Sequence, residues 1–232
     1  GIDSSAVVAV MSKLCNEPIK TFSIGFPEAE FNELSYAKLL SKKYNTDHHE
    51  MIVNPESVSL LPKLVEMFGE PFSDSSALPT YYVSKFAKEF VTVVLSGDGG
   101  DELFAGYNDY QKLNKMMDMP INNRVSRGLF RTLNRALPDY MFGKGLSYLL
   151  SKDKKYLPIY YSILKDYERM EMYNPDFFSS LNSITAETMR KEEYRIEDND
   201  SLQSIQKYWM NTYLEGDILT KVDRASMNNS LE

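Results

Sequence analysis

Along the first half of the chain, short β-prone apolar runs alternate with stretches in which apolar residues recur every three to four positions. Residues 18–26 (PIKTFSIGF) form such a run, ended by Gly and Pro, and read as a strand. Asn32 can cap a helix that carries Leu34, Ala37, Leu40 and Tyr44 on one face. Residues 48–53 read as a second strand, and 55–68 as a second helix turning Val58, Leu61, Leu64 and Val65 inward. A third helix spans 80–90. The run after it, 91–95 (VTVVL), leaves little room for a solvent face, the pattern of a strand buried on both sides of a parallel sheet. This alternation predicts an α/β fold with a doubly wound parallel sheet, whose ligands sit beyond the carboxyl ends of the strands. After residue 110 the text becomes rich in Leu, Lys, Met and Tyr, with helical periods and no convincing strand. The sequence therefore divides into an α/β part, 1–110, and a mainly helical part, 111–232.

Charge sharpens that boundary. The window 111–160 holds ten Lys/Arg against three Asp/Glu, a net +7 in a chain of −7, so the remainder carries −14. The acidic total argues against a nucleic-acid-coating surface and leaves room for a local anion site. At 232 residues, 43% hydrophobic and 25% charged, the chain can bury a core in one large or two small domains. No apolar run is long enough to span a membrane, and no basic stretch precedes an apolar one at the start, so the reading is a cytoplasmic protein without a membrane partner. The single cysteine, Cys15, excludes a disulfide framework and reads as a small buried apolar side chain. His48 and His49, followed by Glu50, lack the four-residue helical spacing of a zinc motif and read as structural. Arg124, Arg127, Arg131 and Arg135 predict one basic helical face, solvated or docking another domain, with Leu129, Phe130 and Leu133 pointing elsewhere. Met116, Met117, Tyr160 and Tyr161 read as helical core.

Two segments carry candidate chemistry. Gly1-Ile2-Asp3-Ser4-Ser5 precedes a Val-rich run that could be a strand by propensity, yet the pentapeptide has the form of a loop feeding a helix N-terminus. Hydroxyls and free backbone N–H groups at such a terminus suit phosphate, and an adjacent Asp suits Mg²⁺; plain helix capping is the competing explanation. Ser96 to Tyr107 (SGDGGDELFAGY) packs four glycines and three carboxylates into twelve residues directly after the apolar run. Glycines let a backbone approach a ligand closely, while Asp98, Asp101 and Glu102 can meet Mg²⁺ or a substrate ammonium; the alternative is a solvated acidic loop.

The first segment resembles the tail of the Ser-Gly-Gly-x-Asp-Ser-Ser pyrophosphate loop of adenylating ATP pyrophosphatases, and the second resembles a signature of one branch, the synthetase domain of glutamine-hydrolysing asparagine synthetases. Two further stretches match that branch: Gly69 to Thr80 (GEPFSDSSALPT), and Asp217 to Met227 (DILTKVDRASM) running on to Ser230-Leu231-Glu232. GMP synthetases, NAD synthetases and tRNA thiolases share the first loop but not the second.

The resemblance implies a nucleotide-binding part over 1–110 and a helical part over 111–232 whose last segment returns to the active site. It implies ATP with its adenine beside Ile24 and Gly25 and near Ser96 and Gly97, its pyrophosphate gripped by Gly1, Ser4 and Ser5, and Mg²⁺ held by Asp3 and Asp101. The β-carboxylate of aspartate would attack the α-phosphorus, and ammonia would then displace AMP to give asparagine. A basic residue contacting phosphate and adenylate aligns with Lys221 or Arg224; either could instead pair with Asp217 or Asp223. Asp98 stands where Glu is frequent, one methylene shorter, which opens the identity of the carboxylate substrate. Glu102, Asp74, Ser75 and Ser76 would line that substrate's pocket, with capping of the 80–90 helix as the competing role of the last three. The family also implies an N-terminal glutaminase domain, glutamine as ammonia donor, and compatibility with a homodimer. It places a buried strand before Gly1, without which the sheet would lack its central member and the chain would be expected to aggregate. Adenylation of another carboxylate, or a remnant that only binds nucleotide or a partner, are the alternative readings.

Overall fold

The computed structural model describes residues 1–232 apart from 29, 31, 54–58, 121–122, 139–140, 142, 163, 182–183 and 195–199. The chain forms two units: Gly1–Phe104 together with Asn211–Glu232, and Ala105–Met210.

The first unit opens with helix α1 (Ile2–Leu14), which begins at Gly1. The Val-rich run is thus helical, and Asp3, Ser4 and Ser5 lie in the first turn rather than in a loop before it. Ser5 makes this turn fast: its N–H and its hydroxyl both donate to the Gly1 carbonyl, the hydroxyl at 2.8 Å. Cys15 follows the helix and is exposed, not buried, because α1 buries none of its residues and its last one, Leu14, already lies in solvent.

Strands β1 (Lys20–Gly25) and β2 (Asp47–Ile52) form a parallel pair, Lys20 opposite Asp47 through Gly25 opposite Ile52, joined through helix α2 (Leu34–Tyr44). Asn32 helps open α2 two residues ahead of it, accepting from the Leu34 N–H and donating to the Phe26 carbonyl, both at 3.1 Å. Both histidines serve this sheet. His48 meets the Thr21 hydroxyl at 2.9 Å, and the His49 ring stacks on Phe22 and lies 4.2 Å from the Phe90 ring.

Helix α3 (Leu61–Phe68) buries Leu64, Met67 and Phe68; Leu61 and Val65, expected inside, are exposed, and Val58 lies outside the described residues. The inward stripe is set by what α3 meets, namely Ala77 and Tyr81 of helix α4 (Ala77–Lys88) and Ala225 of the C-terminal helix Thr220–Asn228. The run 91–95 departs from expectation. Among the described residues the sheet contains β1 and β2, and Val93 and Leu95 are exposed rather than buried. The segment exchanges two hydrogen bonds with Glu232, from Val94 N–H at 2.7 Å and to Thr92 C=O at 2.9 Å, and one residue's amide and carbonyl are too few to build a ladder.

The second unit is helical. Helix α5 (Gly100–Phe104) closes the first unit's run, and α6 (Asn108–Asp118) opens the second, burying Tyr110, Leu113, Met116 and Met117 against Tyr148 to Leu150, Leu157, Tyr160 and Ile205. Trp209 sits 4.5 Å from the Tyr110 ring. Tyr161 lies at the margin of this core, its hydroxyl donating to Asp109 at 2.8 Å. Helix α7 (Arg124–Ala136) starts at a reciprocal cap between Asn123 and Ser126 and leaves Leu129 and Leu133 exposed while Phe130 packs inward. Leu113 is fully buried, so Leu113→Ala should cost about 3 kcal/mol, read as a lower urea midpoint, whereas exposed Leu129→Ala should stay within about 0.5 kcal/mol.

Candidate active site

Two glycines bring the candidate segments together. A Cβ built on Gly97 would lie 2.5 Å from the Ser4 amide nitrogen, and one on Gly100 would lie 2.4 Å from the Asp3 carboxyl carbon. Only a residue without a side chain allows this approach, so the segment 96–102 rests directly on the first turn of α1. Gly99 needs its glycine for a different reason, since its φ of 87° lies in the left-handed region. Through Gly100 the Asp3 carboxylate is one residue from Asp101, and both side chains are half-buried. Carboxylate oxygens are the donor type Mg²⁺ takes, typically one or two from protein with water and phosphate oxygens filling the shell.

Beside this contact lies a cavity of about 380 Å³. Gly1, Ser4 and Ser5 line one wall, Ser23 and Ile24 of β1 another, and Thr80 of α4 a third. Gly25 lies outside this lining; it is buried against Leu34, whose Cδ1 would stand 2.6 Å from an added Cβ. Ser96, Gly97 and Asp98 are likewise absent from the cavity wall, and Ser96 and Asp98 are exposed.

A second cluster forms around Lys221. Lys221 is 6% exposed, and its ammonium donates to Asp74 Oδ2 at 2.8 Å and to Ser76 Oγ at 2.7 Å. Ser76 in turn donates through its amide to Asp74 Oδ1 at 2.8 Å, so Asp74 organises the turn that starts α4 while neutralising the lysine. Ser75 is exposed, and so is Arg224, one turn on from Lys221. Burial would raise the Asp74 carboxyl, but the hydrogen bonds from Lys221 and Ser76 outweigh it and hold it below the ordinary value of 3.8. Asp217, one helical step before Lys221, behaves oppositely. Burial first, and then the charge of Asp74, raise its carboxyl above 3.8 despite Lys221, and its Oδ1 is buried without a hydrogen bond. Burial and then Asp217, Asp74 and Glu102 push the Tyr213 hydroxyl up to about 12. Glu102 itself is 1% exposed.

The arrangement therefore gathers Asp74, Ser76 and Lys221 in one cluster and Asp3 and Ser4 against Gly97 and Gly100 in another. Sequence reasoning missed Tyr213 and gave Asp217 only as an ion-pair partner for the basic residues. The four-residue spacing of Asp217 and Lys221 was the available signal; Asp217 lies in a π-helical stretch, Met210–Leu219, which periodicity does not announce. Among the described residues no cluster of three or more His, Cys, Asp or Glu has metal-binding geometry, and no helix is long and apolar enough to cross a membrane.

The chain matches the family model described as asparagine synthase over residues 1–232. It is 34% identical over its whole length to glutamine-hydrolysing asparagine synthetase 1 of Bacillus subtilis, covering 36% of that protein. Over 98% of its length it is 35% identical to a Methanocaldococcus jannaschii protein provisionally named glutamine-hydrolysing asparagine synthetase 2, covering 44% of it. Similarity to the Gallus gallus asparagine synthetase, 32% identity, extends over 48% of the chain. The chain thus spans less than half the length of these relatives.

Two outcomes test the cluster. Lys221→Met strands Asp74 and should cost about 3 kcal/mol at pH 7 by urea denaturation. Because Asp74 is depressed in the folded state, that cost should hold above its ordinary value of 3.8 and fade as pH falls below it. Asp217 is raised, so its ionisation opposes folding above 3.8; Asp217→Asn should increase the melting temperature at pH 7 and leave it unchanged at pH 3.

Proposed function

The chain belongs to the asparagine synthase family, and we propose that it is the synthetase part of an ATP-dependent amide ligase that adenylates the β-carboxylate of aspartate and transfers ammonia to it. The observation that carries this reading is the seating of the 96–102 segment on Asp3 and Ser4, which joins the two motifs, while Ser4 from the other side of that contact lines a cavity sized for a small ligand. The parallel β1–β2 unit with its crossover helix is, in this reading, a portion of a doubly wound nucleotide-binding sheet, with residues 1–110 forming the nucleotide part and the C-terminal segment returning to complete the site.

ATP would enter the cavity between Ile24 and the first turn of α1, where Gly1 and Ser4 offer backbone N–H groups and the Ser4 hydroxyl to the β- and γ-phosphates, and the Ser5 hydroxyl would join them by turning away from the Gly1 carbonyl. Asp3 and Asp101 would hold Mg²⁺, whose contribution is to neutralise charge on the departing pyrophosphate. Of the two basic residues, Lys221 takes the phosphate-facing role, because its ammonium is already fixed within the polar cluster; exposed Arg224 would have to be ordered first. Asp74 and Ser76 hold that ammonium in place, and Asp98, Glu102 and Ser75 are assigned to recognition of the amino-acid substrate. Attack of the aspartate carboxylate on the α-phosphorus gives an acyl-adenylate and pyrophosphate, and ammonia then displaces AMP. Most of the rate would come from positioning and charge complementarity. A glutaminase domain elsewhere in the complete polypeptide would supply the ammonia.

The test is AMP and pyrophosphate release by the complete polypeptide with Mg-ATP, ammonium and either aspartate or a panel of other carboxylates. Aspartate-dependent release with asparagine formed is expected, and Asp3→Asn should lower it by at least about a hundredfold. Release only with another acid would keep the chemistry and replace the substrate; silence with every acid would leave a nucleotide-binding remnant.

A further inference from the structure

The second unit contains a cavity of about 580 Å³ lined by Arg124, Arg127 and Arg131 of α7 together with Lys152, Asp153 and Lys191. Among the described residues, five cations thus face one carboxylate across a space within the usual range for small-molecule sites. Two of the five are anchored by acids: Arg127 pairs with Asp153 at 2.5 Å, and Lys152 with Asp166 at 3.0 Å. Tyr160 forms part of the wall and carries two ammonium groups over its ring, Lys152 at 4.3 Å from the centroid and Lys191 at 4.9 Å. These contacts fix the cations in place without neutralising them. Among the described residues, Arg124, Arg131 and Lys191 have no acidic partner.

Folding alone does not favour this arrangement. Arg124, Arg127 and Arg131 are spaced three and four residues apart on one helix face, where like charges repel, and the cavity adds two lysines to the same field. The chain as a whole has seven more acids than bases, so acidic side chains were available to compensate, yet among the described residues only Asp153 enters the lining as an acid. Uncompensated charge concentrated in a concave site raises the local concentration of oppositely charged solutes. Guanidinium forks suit oxyanions in particular, because they can donate two parallel hydrogen bonds to one phosphate or carboxylate.

We propose that this cavity binds a small, multiply charged oxyanion, an oligophosphate or a polycarboxylate, at a site separate from the proposed adenylation site. Arg124, Arg131 and Lys191 supply the net attraction, Arg127 and Lys152 hold the rim, and Tyr160 sets the depth. A ligand with about three negative charges matches the three unpaired cations.

The experiment titrates the protein with inorganic triphosphate and, separately, with citrate by calorimetry at physiological ionic strength. Saturable one-to-one binding of at least one probe is expected. Arg124→Gln/Arg131→Gln, at two exposed positions, should weaken it at least about tenfold and abolish the rise in melting temperature that the probe gives the parent. Lys42→Gln/Lys43→Gln, equal in charge removed but located at the end of α2, should leave binding unchanged. So should Ser4→Ala/Ser5→Ala, which disables the proposed phosphate grip. Binding of triphosphate alone would identify an oligophosphate site, and of citrate alone a polycarboxylate site. The proposal is overturned by absence of saturable binding to both probes or by equal weakening in the arginine and lysine pairs. It is overturned as well if binding is lost in the serine variant and kept in the arginine variant, a result that would leave the adenylation reading intact.

Discussion

The ammonium of Lys221 is the constraint around which the first unit is arranged. A lysine so thoroughly removed from water is tolerable only if its charge is met and its protons are accepted, and Asp74 and Ser76 do both. Those partners lie 147 and 145 residues away in sequence, so the pairing brings the end of the chain onto the loop before α4. Hydrophobic packing follows the same geometry. Ala225, one turn beyond Lys221 and fully buried, completes the cluster of Leu64, Met67, Phe68, Ala77 and Tyr81. Asp217 then becomes the cost of the arrangement: a single lysine cannot fully satisfy two neighbouring carboxylates, and the one without the better hydrogen bonds is left with a raised affinity for its proton.

A second constraint is steric. Gly97 and Gly100 admit the backbone of Ser4 and the carboxylate of Asp3 to distances that any side chain would forbid. The two segments are therefore not independent loops that happen to be close. The helix supplies a first turn with hydroxyls and an acid, the glycine-rich segment supplies a surface without side chains, and each is shaped for the other. Ile24 enters the same region because β1 ends beside α1, with the cavity between them.

What the sequence discloses and what it withholds follow from the range of the interactions. β1, β2 and α2 rest on local patterns, and the structure has them where periodicity and turn residues indicate. The 91–95 run has the composition of a buried strand, but strand formation depends on a neighbour along its whole length, and composition cannot supply the neighbour. The inward face of α3 was misjudged for a related reason: both choices satisfy a helical period, and only contact with α4 and the C-terminal helix selects Met67 and Phe68 over Leu61 and Val65. In the candidate site, the residue types of Asp3, Ser4, Asp74 and Lys221 stand out in the sequence, whereas their partners do not. That Lys221 and not Arg224 is buried, and that Asp217 is perturbed, depend on contacts across the length of the chain, Asp74 above all.

The uneven charge of the sequence gains a physical meaning from the two units. In the first, carboxylates crowd the candidate site, with Asp3, Asp101 and Glu102 on one side and Asp74 and Asp217 around the lysine. A polyphosphate approaching such a region meets repulsion unless a divalent cation comes with it, so the acids themselves make metal-dependent binding the physically consistent form of the proposed reaction. In the second unit the sign is reversed, and the cavity along α7 already carries more positive charge than its acids neutralise. An oxyanion there needs no accompanying metal. On the two proposals, the same ligand chemistry would be met by opposite electrostatic solutions, the difference lying in whether fixed side chains or a recruited ion provide the positive charge.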